Sequence, residues 1–81
     1  MLMNYTPTPE ELLALEIANA LGDEVNLSQY KQYAQKHPEP FLRQILQEVL
    51  AYPVAKIRKS RGALFSYLVF KYGRKHNHSR S

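Results

Sequence analysis

Apolar residues recur along this chain at steps of three and four, in blocks separated by short stretches holding proline, glycine and small polar residues. That spacing places them on one side of helices, and no alternating run of the strand type appears. The first block opens at Thr8-Pro9-Glu10-Glu11. Thr8 is placed to cap, Pro9 suits the first helical position, and Glu11 completes a Thr-x-x-Glu capping box. Leu13, Ile17, Ala20 and Leu21 form an apolar face, widened by Leu12 and Ala14, and Gly22 offers a left-handed stop. A helix over 9–21 is predicted.

After a link at Asp23-Glu24-Val25, the same logic repeats with Asn26 as cap and Gln29 three positions on. Leu27, Tyr30 and Ala34 share a face flanked by Tyr33, so a second helix is predicted over 27–36. It must end near His37, because Pro38 disfavours helical geometry in the residue before it. The prolines of His37-Pro38-Glu39-Pro40 fit the first turn of a third helix. There Phe41, Leu42, Ile45, Leu46, Val49 and Leu50 fill two adjacent rows, opposite Arg43, Gln44, Gln47 and Glu48. This is the strongest amphipathic pattern in the chain. Pro53 closes it near Ala51 or Tyr52 and opens a turn over 53–59, with Val54 and Ile57 expected to point inward.

Ser60 reads as the cap of a last helix over 61–72, ended by Gly73. Leu64, Phe65, Leu68, Val69 and Tyr72 make its stripe, with Tyr67 and Phe70 at the margins. Being apolar around much of its circumference, it is predicted to be the central helix. The expected fold is all-α, a small compact bundle of four main helices plus one short helical turn. A flexible leader (1–7) precedes a single domain (8–73), and a disordered basic tail (74–81) follows it.

Composition narrows the chemistry. Eighty-one residues build one domain with a modest core. With no cysteine, disulfides, thiolate metal sites and thiol catalysis are excluded. The opening Met1-Leu2-Met3-Asn4-Tyr5 lacks the basic region and long apolar stretch of a secretory signal. No run approaches the roughly 18 apolar residues of a membrane span. A soluble cytoplasmic protein is expected.

Charge changes the picture more. The net +4 conceals two unlike parts. Residues 1–48 carry Lys31, Lys36 and Arg43 against seven carboxylates, whereas residues 49–81 carry eight cations and no Asp or Glu. Such asymmetry suits a polyanion, or a second copy docked acidic against basic. Helix starts account for most of the acidic residues. The basic ones gather at Lys56-Ile57-Arg58-Lys59-Ser60-Arg61-Gly62, just before and at a helix start.

A helix N-terminus carries unpaired N–H groups and partial positive charge, which suits phosphate, and Gly62 lets a backbone approach closely. The rival reading is a polar loop whose lysines only keep the protein soluble. The cations also oppose their own helix dipole, a conflict that an anion would relieve. Lys71, Arg74, Lys75 and Arg80 extend the charge. The candidate nucleic-acid contacts are therefore Lys56, Arg58, Lys59, Ser60, Arg61, Gly62, Lys71, Arg74 and Lys75.

Other constellations carry less. His76 and His78 in a tail, with no third ligand nearby, make a poor metal site, and none is expected. Tyr30, Phe41, Phe65 and Tyr72 lie on helical stripes and are read as core. Tyr52, Tyr67 and Phe70 sit at stripe edges near the basic segment and are the better candidates for a surface contact. No Gly-rich phosphate loop and no framed hydroxyl–His–carboxylate set is present, so neither an enzyme nor a cofactor is expected.

The segment PVAKIRKSRGALFSYLVFKY, Pro53 to Tyr72, resembles the C-terminal helical part of DnaD-like replication-initiation and helicase-loader proteins of bacteria, plasmids and phages. In that group a basic or Asn/Ser-rich turn precedes a helix with bulky residues at i, i+4 and i+8, as Leu64, Leu68 and Tyr72 stand here. The family pattern begins with Tyr and ends with Trp, where this chain has Leu64 and Tyr72. The resemblance implies a role in DNA replication or maintenance of a mobile element, with a larger replication protein as partner. DNA is expected over RNA. The alternative from another class is a non-enzymatic, homodimerising interaction module.

Overall fold

The computed structural model describes residues 6–78, with side chains as far as Gly73. Four helices follow one another: α1 (Pro9–Leu21), α2 (Leu27–Lys36), α3 (Glu39–Ala51) and α4 (Arg61–His78). Short 3₁₀ turns at Glu24–Asn26 and Val54–Lys56 link α1 to α2 and α3 to α4. The predicted all-α bundle of four main helices is thus the fold. The leader expected at 1–7 lies outside the described residues as far as residue 5.

Both ends of α1 form as their residues dictate. Glu11 N–H donates to Thr8 Oγ1 at 3.1 Å and Thr8 N–H donates to Glu11 Oε1 at 3.0 Å, closing the capping box. At the other end Gly22 adopts φ 65°. There Asp23 N–H reaches Ala18 O at 2.9 Å and Gly22 N–H reaches Asn19 O at 3.1 Å, the paired bonds of a Schellman stop.

The start of α2 differs from expectation. Asn26 makes no side-chain cap; its amide donates to both Asp23 carboxylate oxygens, at 3.1 and 3.2 Å. The preceding 3₁₀ turn runs straight into the helix, and the Asp23 carboxylate orients the Asn26 side chain by holding its N–H donors. Gln29 likewise turns to the Tyr33 hydroxyl, at 2.8 Å, instead of closing a box.

The core is Leu13, Ala14, Ile17, Ala18 and Leu21 of α1, Tyr30 and Ala34 of α2, Leu42, Ile45, Leu46 and Val49 of α3, and Phe65 and Val69 of α4. Tyr30 and Phe65 meet edge-on at 5.7 Å between ring centres, and Tyr33 closes the cluster at 6.1 Å from each. An exposed fork joins α1 to α3: Arg43 bonds Glu16 at 2.7 and 2.9 Å and Glu39 at 2.7 Å. The hydrogen bond from Arg43 holds the Glu16 carboxyl below its usual range, and those to Glu16 and Glu39 raise Arg43 further.

Several packing expectations are corrected. The most enclosed helix is α1, with five buried apolar side chains, and not α4, whose buried apolar side chains are Phe65 and Val69. The fold is only 16 Å deep in its thinnest direction, so α4 buries a single row, Gly62, Phe65, Val69 and Gly73. Its Leu64, Leu68 and Tyr72 are half-buried against that core. On α1, Ala18 is buried in place of Ala20, while Leu12 faces solvent, as do Leu50 of α3 and Val54 in the second turn. The turn Val54–Lys56 is exposed throughout, and Ile57, just after it, is half-buried.

Nor does α4 stop at Gly73. Gly22 alone takes positive φ among the described glycines, and a Cβ on Gly73 would lie 3.0 Å from His37 Cε1. Gly73 is therefore a close-packing position inside a helix, not a left-handed cap. The basic tail expected at 74–81 thus begins on the backbone of α4. Its side chains lie outside those described, and residues 79–81 lie outside altogether.

Candidate nucleic-acid interface

The sequence 52–60 must turn the chain from α3 into α4 with prolyl and basic residues and little to bury. Pro53 is extended at φ −60° and ψ 128°, a 3₁₀ turn follows, and Ser60 starts α4 by accepting a bond from Ala63 N–H at 3.0 Å. Folded this way, the segment lies beside the first two turns of α4. Tyr52, Lys56, Ile57, Arg58, Lys59, Ser60, Leu64 and Tyr67 line one open groove of about 410 Å³.

Of the nine residues the sequence singled out, four line this groove: Lys56, Arg58, Lys59 and Ser60. The three cations are exposed, and no carboxylate lines the groove. Among the described residues the ion pairs belong to Arg43, so none neutralises Lys56, Arg58, Lys59 or Lys71. Lys71 stands one turn beyond Tyr67, with its ammonium 5.9 Å from the Tyr67 ring centre and 5.7 Å from that of Tyr72. By helical period, positions 74, 75 and 78 continue the same side of α4. The Arg74 and Lys75 side chains lie outside the described residues.

Arg61 and Gly62 do not line the groove. A Cβ on Gly62 would sit 2.5 Å from Asp23 Oδ2 and 2.8 Å from the Tyr30 hydroxyl. The close approach that Gly62 permits is thus to the chain's own side chains, with a carboxylate held at the first turn of α4. An internal anion there answers the dipole conflict that the sequence suggested a ligand would relieve. Asp23 is fixed by the Tyr30 hydroxyl at 2.7 Å and by Asn26. Burial, then this bond, pushes the Tyr30 phenol well above its ordinary value. The Nε atom of Arg61 is buried with no hydrogen-bond partner, so that side chain is drawn partly into the fold.

Sequence reasoning marked Tyr52, Tyr67 and Phe70 as surface aromatics, and they are 41, 56 and 62% exposed. Two of them line the groove and Phe70 does not. What reasoning missed is the groove's apolar floor. The sequence pattern places Ile57 in the interior and Leu64 on the core stripe, and no local signal reveals that both also line a shared concavity.

Among the described residues no three His, Cys, Asp or Glu side chains gather as a metal site, and no helix is long and apolar enough to cross a membrane. Comparison with protein-family models, with curated proteins and with solved structures finds no match.

Proposed function

We propose that this chain is a non-enzymatic nucleic-acid-binding module, with DNA as its partner, that holds phosphates through the turn before α4 and along one side of that helix. The observation that carries this reading is the convergence of Lys56, Arg58 and Lys59 on one groove that no carboxylate lines. Lys71 prolongs the surface, and Ser60, Arg61 and Gly62 serve mainly to build it. Unpaired cations held at fixed spacing release counterions when they meet a polyanion, and that release drives association. The resemblance of residues 53–72 to replication-initiation proteins connects the reading to DNA replication or upkeep of a mobile element. A larger replication protein would then be its partner.

The test is a titration of labelled DNA across a salt series, with light scattering alongside to measure mass. Binding should weaken steeply with salt. Replacing Lys56, Arg58 and Lys59 together with Ala should flatten the log–log slope by roughly two to three, at about 0.7–0.9 for each phosphate no longer neutralised. An unchanged slope would place the site elsewhere. No binding at low salt, with a stable dimer by mass, would favour the homodimerising alternative.

A further inference from the structure

Three cations account for attraction to any polyanion, but not for the surface they border. The same groove is lined by two exposed tyrosine rings and by Ile57 and Leu64, which form its apolar floor. A phosphate gains nothing from an apolar floor or a ring face. A nucleobase gains from both, since stacking uses the ring and burial of the base edge removes apolar surface from water.

We propose that the groove takes single-stranded nucleic acid, with an unpaired base laid against Tyr67, Tyr52 alongside it, and the flanking phosphates on Lys56, Arg58 and Lys59. This rests on the reading of the groove as a nucleic-acid surface and adds the class of strand it takes. A duplex keeps its bases stacked inside and offers this concavity only its charged outer edge, which reaches neither ring. A splayed strand presents bases and phosphates together, and the groove is lined by both rings and cations.

Lys71 strengthens the assignment. Its ammonium stands 5.9 Å from the Tyr67 ring centre. A cation over the ring polarises it, and the same charge meets the next phosphate along a strand running up α4. The aromatic residues are also sorted by the fold. Tyr30 and Phe65 are wholly inside, whereas Tyr67 stays 56% exposed although its helix has a core row to join. A polyacid without apolar or aromatic side chains, such as polyglutamate, would satisfy the cations but leave both rings and the floor uncovered.

The experiment compares a labelled oligothymidylate with a hairpin duplex of equal phosphate number, by fluorescence anisotropy on the full chain. The single strand should bind more tightly at every salt concentration. Tyr67→Ala should weaken it by between about fivefold and a hundredfold, the range for removing one base–ring stack, with little effect on the duplex. Its salt slope should stay unchanged, because no cation is removed, and Tyr67→Phe should retain the affinity. Since Tyr67 lies outside the core, circular dichroism should show both variants folded.

Equal losses on both DNAs, or none on the single strand, would overturn the stacking assignment while leaving the charge-based reading in place. Failure of both DNAs to bind at low salt would remove that underlying reading instead. Displacement of the strand by polyglutamate of matched charge, as efficient as by unlabelled oligothymidylate, would also overturn the proposal.

Discussion

Replacing Gly62 with Ala tests most directly what the start of α4 is for. If Gly62 exists so that a phosphate can approach the backbone, the methyl should cost binding. If it exists to admit Asp23 and Tyr30, the methyl should cost stability. The distances decide between these. An added Cβ would lie 2.5 Å from Asp23 Oδ2 and 2.8 Å from the Tyr30 hydroxyl, closer than such atoms approach.

Tyr30, 1% exposed and edge-on against Phe65, can yield only by the few tenths of an ångström its own contact needs. Asp23 must move, and moving it breaks the 2.7 Å bond from Tyr30. A hydrogen bond to a charged acceptor contributes about 1.5–3 kcal/mol. Alanine returns up to about 1 kcal/mol through its better helix propensity. The net loss is about 1–2 kcal/mol, which for a domain of this size lowers Tm by roughly 5–15 °C.

Thermal unfolding followed by circular dichroism measures it, for Gly62→Ala in the parent and again in Tyr30→Phe. The phenylalanine background lacks one of the two obstructing atoms and leaves Asp23 held by Asn26 without the Tyr30 bond to lose. The methyl should therefore cost clearly less there. DNA affinity, read where every variant is folded, should not change. A Tm equal to or above the parent's, or the same cost in both backgrounds, would refute the reasoning. So would reduced affinity with intact stability.

Two further predictions concern the same region. Ser60→Ala removes the cap on Ala63 N–H and should destabilise by about 1 kcal/mol in denaturant titration, with DNA affinity held, because the hydroxyl is already engaged. Reduced affinity without reduced stability would show a direct role in binding instead. Tyr30 supplies a pH signature: its folded pKa is raised above the unfolded value of about 10, first by burial and then by Asp23. Its contribution is full below pH 10 and falls as pH rises beyond it, since the unfolded chain ionises first. Tyr30→Phe should flatten the alkaline limb of the stability curve, and an equally steep limb would contradict the assignment.

Much of the candidate site was legible in the chain itself. The cations at 56–59 and the absence of later carboxylates are properties of composition, and the exposure of Tyr52 and Tyr67 follows from their place at stripe edges. The roles of Arg61 and Gly62 were not legible, because the carboxylate that meets the first turn of α4 lies 39 residues before Gly62, at Asp23. The groove's floor escaped for a similar reason. Periodicity tells which side of a helix a residue occupies, but not whether a neighbouring segment leaves that side open.

By itself the sequence determined the elements. A capping box, proline joints and amphipathic spacing are local chemistry, and they set the bounds of α1 and α3, the end of α2 and the start of α4. Tertiary structure decided what local rules leave undetermined. It made α1 the most enclosed helix and left α4 with one buried row. At Gly22 the glycine ends a helix with its amides bonded back to α1, whereas at Gly73 one of the same kind sits inside a helix against His37. A glycine tolerates both the left-handed turn and the close approach, so its neighbours in space select between them. The basic turn became a groove for the same physical reason. Its charges were present in the chain, but their convergence beside two tyrosines depended on how α3 delivers the chain to α4.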